Sequence, residues 1–247
     1  MAAIYILWLR QLKRYVRSRA RIIGSVGQPL LFLIALGFGF GPVYARAGGG
    51  NYLQFLAPGI IAMTILFTAV FSGVEVLWDK QFGFLKETLV APVSRVRIVF
   101  GRTLGGATVA TLQGVIVLLI AVLAGFRPAL ATLPAALLFA VLTGLLFTAM
   151  GTAIASVIDD MQGFQLIMNF LVMPLFFLSG SLFPLNGLPR ALNIVVTANP
   201  LAYGVDGLRW ALIGQAHFPL AVDLGVLASL TALLLGLGGW LFTRIQV

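Results

Sequence analysis

The sequence of 247 residues contains no cysteine and a single histidine, His217. Disulfides, thiolate metal sites and histidine metal clusters are therefore excluded from the outset. Charge is scarce too: only 9% of residues are Asp, Glu, Lys or Arg, against roughly 25% in a soluble domain. No G-x-x-x-x-G-K-[ST] occurs, so this chain cannot itself cradle ATP phosphates, and neither H-E-x-x-H nor a nucleophile elbow is present. Asp159 and Asp160 form the one adjacent carboxylate pair. Neighbours on a helix point about 100° apart, so they make no dyad on one face and read as a loop that caps the next helix. No catalytic residue and no metal ligand set emerges, and the chain reads as a non-enzyme.

What is abundant is apolar surface. Hydrophobic residues make up 60% of the chain and the mean hydropathy is +1.06. So little charge cannot cover a water-facing surface, and the solvent must be lipid. The net charge of +9 then points to an anionic membrane leaflet rather than to nucleic acid. The apolar runs are continuous rather than alternating, which favours helices over a barrel. Six have the ~20-residue length a span needs: Ile22–Gly41, Phe55–Trp78, Thr103–Gly125, Leu133–Ile158, Phe164–Phe183 and Leu220–Thr243. The expected fold is an all-α integral membrane protein with one transmembrane domain over 1–247. It divides into a basic helix (1–21), spans one to five (22–183), an apolar external segment (184–219) and the sixth span (220–243).

Orientation follows from the basic residues. Arg10, Lys13, Arg14, Arg17, Arg19, Arg21, Lys80, Lys86, Arg95, Arg97, Arg102 and Arg244 fall on one side, and only Arg46, Arg127, Arg190 and Arg209 on the other. Both termini are expected in the cytoplasm. Ala45-Arg46-Ala47 has the form of a signal cleavage site, but the preceding apolar run is longer than the 7–15 residues of a signal core, so cleavage is not expected. On a helix, Arg10, Arg14, Arg17 and Arg21 share a face opposite Ile4, Trp8, Leu12 and Tyr15. Such a helix can lie in the headgroup plane, as a topology anchor or as a lever.

Ionisable groups inside spans are costly, and Glu75 is the exception, near the cytoplasmic end of the second span, where it can reach the interface or pair with a basic neighbour. An ion-coupled transporter normally needs more intramembrane carboxylates than this. Gln28, Thr64, Thr68, Ser72, Gln113 and Asn169 are scattered along the spans, either bonding between helices or lining a path. The aromatics Phe67, Phe71, Phe176 and Phe177 could pack helices or stack on sugar rings. Between Pro184 and Ala221 the chain is apolar, yet cut by Pro184, Pro189, Pro200 and Pro219 into pieces too short to span, as in re-entrant helices or an external cap.

The stretch "WDKQFGFLKETLVAPVSR" (Trp78–Arg95) closely resembles the cytoplasmic signature loop of type-2 ABC exporter permeases, the group with drug-resistance and nodulation-factor exporters. "FFLSGSLFPLNGLPRALNIVVTANPLAYGVDGLRW" (Phe176–Trp210) is similar to the family's second signature, and "YLQFLAPGIIAMTIL" (Tyr52–Leu66) to the start of its second span. The resemblance covers essentially the whole chain. It departs at Gln81, where members often carry an acidic residue.

The resemblance implies a coupling helix between spans two and three, docking on a separate ATPase through Phe82, Gly83, Phe84, Leu85, Lys86, Glu87 and Thr88. It implies an interface helix carrying Arg10, Arg14, Arg17 and Arg21. The path would be lined mainly by spans one, two and five, with Gln28, Thr64, Phe67, Phe71, Asn169, Phe176 and Phe177 as candidate lining. The segment with Pro184, Pro189, Asn199, Pro200, Tyr203, Asp206 and Arg209 would form a re-entrant pair closing the outer end. ATP and Mg would be bound by the partner, with no cofactor in this chain. Two copies of the chain would pair with two ATPase subunits in the inner membrane of a prokaryote, among membrane lipids and without nucleic acid. The cargo would be hydrophobic or amphipathic: a drug, a lipid or a lipid-linked glycan. The competing readings are an ion-coupled secondary transporter and a membrane scaffold without an ATPase.

Overall fold

A computed structural model describes residues 2–46, 50–84 and 93–243. Every regular element among them is helical. α1 (Ala2–Arg17) leads into α2 (Arg19–Gly39) and a short α3 (Gly41–Arg46). α4 (Tyr52–Phe71) is followed after a brief break by α5 (Val74–Gln81). Then come α6 (Arg95–Leu123), a 3₁₀ turn (Leu130–Thr132), α7 (Leu133–Val157), α8 (Met161–Phe177), α9 (Arg190–Ala198), α10 (Pro200–Ile213) and α11 (Leu220–Thr243).

Among the described residues, five stretches are long and apolar enough to cross a membrane: Ile22–Gly39, Tyr52–Gln81, Arg95–Leu123, Leu130–Val157 and Leu220–Phe242. The expected fifth span, Phe164–Phe183, is a shorter apolar helix, Met161–Phe177. Its ladder stops because the chain turns at Gly180, whose φ of 75° is left-handed, and Ser179 Oγ and Ser181 Oγ bond each other there at 2.6 Å. It starts at Met161, three residues before the expected Phe164, and of the acid pair expected to cap it Asp160 is the N-cap, its carboxylate accepting from Gly163 N at 2.6 Å. The third span begins eight residues before Thr103, so Arg95, Arg97 and Arg102 lie on a helix rather than in a loop.

α4 is the centre of the bundle. Nearly its whole length is buried, against α2, α6, α7 and α10. In lipid, helices gain nothing from hiding oil from oil, so close packing and polar contacts must hold them. The α4–α5 junction and α7 meet backbone to backbone. A Cβ on Gly73 would sit 2.4 Å from Gly151 O, and one on Gly151 only 2.3 Å from Val70 O. No side chain fits at either place.

At the end opposite the basic residues, α10 is almost fully buried. Asn199 caps it, accepting from Leu201 N at 3.0 Å and donating Nδ2 to Leu175 O at 2.7 Å. α9 is mostly exposed. At 9 and 14 residues, α9 and α10 are too short to span, in keeping with the proline-cut segment read from the sequence.

Candidate functional site

The basic end is organised around α5. Its first turn carries Glu75 and its last carries Asp79 and Lys80, all turned into the protein. Asp79 is buried and holds two arginines, Arg10 of α1 at 3.2 Å and Arg102 of α6 at 2.5 Å. Glu75 pairs with Arg14 of α1 at 3.4 Å. On the other side Lys80 Nζ donates to Ser156 O at 2.9 Å, Ile158 O at 3.1 Å and Asp159 at 3.0 Å, closing the last turn of α7. Trp8 Nε1 donates to Thr108 Oγ1 at 3.0 Å, seating α1 along α6.

α5 is thereby fastened to α1, α6 and α7 immediately before the loop singled out in the sequence. Of that loop, Phe82 and Phe84 are exposed and Gly83 has a left-handed φ of 77°. Leu85, Lys86, Glu87 and Thr88 lie outside the described residues. Of the arginine stripe, Arg10 and Arg14 face inward to acids while Arg17 is exposed. The side chain of Arg21 is outside the described set.

Of the two readings open for Glu75, reaching the interface or pairing with a basic neighbour, the structure shows the pair, with Arg14. The ion pairs of Asp79 were not foreseen, because they join residues from three elements and leave no trace in spacing. A second acid also lies within span limits: Asp223, in the first turn of α11, is fully buried. The sequence reading, which named Glu75 alone, passed over it.

Beside α5 lies a cavity of about 370 Å³ between α1, α2, α4 and α6. Gln28, Thr64, Phe67 and Phe71 all border it, together with Gln11, Tyr15, Ser25, Thr68, Ser72, Glu75 and Gln113. Phe67 and Phe71 stack on each other, centroids 6.3 Å apart and planes within 15°. The other lining candidates lie elsewhere. Phe176 is buried edge-on against Phe32, and Asn169 and Phe177 are exposed on α8.

At the opposite end, Arg209 of α10 is buried, donates to Gly180 O at 2.9 Å and lies 4.2 Å over the Phe55 ring. Asp206 accepts from His217 N and Phe218 N at 2.8 Å, pinning the turn before α11. Tyr203 donates to Thr197 O at 2.6 Å, tying α10 to α9. Pro200 and Asn199 open α10, Pro189 precedes α9, and Pro184 borders a second apolar pocket with Tyr44 and Tyr52.

Comparison with known proteins agrees with this architecture. Residues 2–213 match the family described as ABC-2 type transporter. Nodulation protein J of Rhizobium leguminosarum bv. viciae is 29% identical over 224 residues, covering 90% of this chain and 86% of that protein. The putative transport permease ycf38 of Cyanophora paradoxa is 29% identical over 211 residues, covering 84% and 73%. The ycf38 protein of Pyropia yezoensis is 30% identical over 203 residues, covering 78% and 68%. With its apolar helices of spanning length, the chain is an integral membrane protein of transport-permease kind. It belongs to the ABC-2 type transporter family.

Proposed function

We propose that this chain is the permease subunit of an ATP-driven exporter, moving a hydrophobic or amphipathic cargo with a separate ATPase subunit. The observation that carries the reading is the fastening of α5. A lever must transmit force without bending, and three buried or half-buried ion pairs plus the Lys80 cap join α5 to α1, α6 and α7. Nothing about a topology loop requires such a base. Phe82 and Phe84, exposed just beyond it, are the anchors an ATPase groove would take.

In this mechanism, ATP binding in the partner draws two ATPase subunits together and pushes the loop of residues 82–88. α5 passes the displacement to α1 and to the ends of α6 and α7, shifting the balance between inward-open and outward-open states. Hydrolysis resets it. α8 counts as the sixth crossing, at the lower limit of spanning length, which puts both termini and the loop in the cytoplasm. The exposed face of α8, with Phe170 at 84% and Leu166 at 71% exposure, meets a second copy, and the path runs along that seam beside α2 and α4. α9 and α10 close its outer end as re-entrant helices.

The chain has no cysteine, so one introduced at Phe82 reports without background. Disulfide or maleimide crosslinking from that position to a co-expressed Walker-A protein is the expected result, lost when the ATPase is omitted. No crosslink from an active preparation contradicts the docking.

A further inference from the structure

Two cavities meet at Tyr44, at the end opposite the basic residues. One, of about 360 Å³, is walled by Leu36, Phe40, Val43 and Leu182 together with Tyr44 and Tyr52. Tyr52 spends its hydroxyl proton on Leu182 O at 3.0 Å, which leaves this compartment oily. The other, of about 620 Å³, is bordered by Asn51, Gln54, Arg127 and Gln215, again with Tyr44. Both volumes suit a small-molecule site. The Tyr44 ring packs on Tyr52 at 4.9 Å and on Phe55 at 5.8 Å between centroids. Phe55 borders the polar cavity as Tyr52 borders the apolar one, so the three rings form a partition between them. Tyr52 opens the second span, which puts this partition where headgroups give way to acyl chains.

The fold holds Arg127 at the wall of the polar cavity. Its N–H donates to Gln54 Oε1 at 3.3 Å, Gln54 Nε2 donates to Gly125 O at 3.3 Å, and Ala129 N donates to Leu212 O at 2.8 Å. The main chain around Arg127 is thereby tied to α4 and α10. The guanidinium is exposed and forms no ion pair among the described residues, and no acid borders either cavity.

We infer that the two cavities together hold one acidic phospholipid, its phosphate against Arg127 and an acyl chain beyond Tyr44 in the apolar compartment. A guanidinium fork matches phosphate oxygens two at a time. With no acid beside it, its charge favours a head of net negative charge over a zwitterionic one. The bound lipid ties α3 and the start of α4 to the α6–α7 loop and the end of α10. It is a resident of the fold and not the cargo, so the inference goes beyond the export reading and does not rest on it.

Phosphatidylglycerol and phosphatidylcholine carrying the same diazirine-bearing acyl chain test it, applied to the full chain in nanodiscs with any ATPase that accompanies it. Phosphatidylglycerol should label peptides of residues 36–44 and 182–184 saturably, with phosphatidylcholine weaker by about tenfold, the low end of what a charged hydrogen bond is worth. Arg127→Gln, an exposed change that leaves the main-chain bonds in place, should bring phosphatidylglycerol down to the level of phosphatidylcholine. Labelling of α1, at the basic end, should not change and serves as the control. Arg127→Lys should keep part of the preference, since the charge stays and the fork is lost. Val43→Trp, at a half-exposed position of the apolar wall, should weaken labelling by both lipids. Glycerol 3-phosphate, a head without chains, should not compete. Equal labelling by the two lipids, a preference that survives Arg127→Gln, or full competition by glycerol 3-phosphate overturns the inference. Labelling requires no hydrolysis, so a preparation without an ATPase sinks the export reading and spares the site, while absent labelling in an ATPase-active preparation does the reverse.

Discussion

Asp79 and Arg102, on opposite sides of the loop that joins α5 to α6, form a salt bridge in which each side chain is only 4% exposed. The pair closes the base of the loop, and Arg10 adds a third charge from α1. Removing charges from water is expensive, and breaking such a pair on one side leaves the other charge buried and unmatched.

Asp79→Ala should therefore destabilise the chain by about 3–5 kcal/mol, read from denaturation in mild detergent. The double substitution Asp79→Ala with Arg102→Leu should recover much of that loss, because no fully buried charge is left unmatched and Arg10, its side chain 40% exposed, can turn to solvent. A double mutant as unstable as the sum of its singles would show that the two residues act independently.

Gly151→Ala should be among the most damaging small changes in the protein. The new methyl would lie 2.3 Å from Val70 O, so α7 and α4 must part. The expected result is poor recovery of monodisperse protein and early thermal unfolding. Wild-type behaviour would contradict the close approach of these helices.

Arg209→Met keeps length but removes the bond to Gly180 O and the cation over Phe55. Losing a charged hydrogen bond and a desolvated cation–π contact should cost about 2–4 kcal/mol. Arg209→Lys should fall between the two, since an ammonium lacks the planar fork that bonds and stacks at once. If lysine serves as well as arginine, the stacking has no energetic weight.

Gly83 has a φ of 77°, a conformation that a β-branched residue resists, and a Cβ there meets no neighbour. Gly83→Val should leave insertion and stability of the bundle intact while lowering export per ATP hydrolysed. Glu87→Ala should act in the same direction. Normal coupling ratios in both would remove the lever role of this loop.

Much of the fold was legible in the sequence. Runs of ~20 apolar residues marked the long helices, the Asp159–Asp160 pair marked a cap for α8, and the prolines of 184–219 marked pieces too short to span. The positions of breaks were less legible. α4 and α5 read as one apolar run, and the interruption at Ser72–Gly73 lies where the chain passes the backbone of Gly151, a residue far along the chain. The ion pairs were the least visible. Arg102 looks like a headgroup residue at the rim of a span, and only the folded bundle brings Asp79 to it from the far side of the loop. Gln28, Thr64, Phe67 and Phe71 could be chosen as lining because polar and aromatic side chains are conspicuous in apolar helices. Asn169 and Phe177 looked no different, and yet they sit on an exposed face of α8.

The most direct test of the account is purification of the tagged chain from its own cells in mild detergent, followed by identification of what accompanies it and assay of ATP hydrolysis. The account predicts a Walker-A protein in equal amount and hydrolysis that vanadate abolishes. A chain recovered alone and without hydrolysis, under conditions that keep known transporter complexes whole, would contradict it.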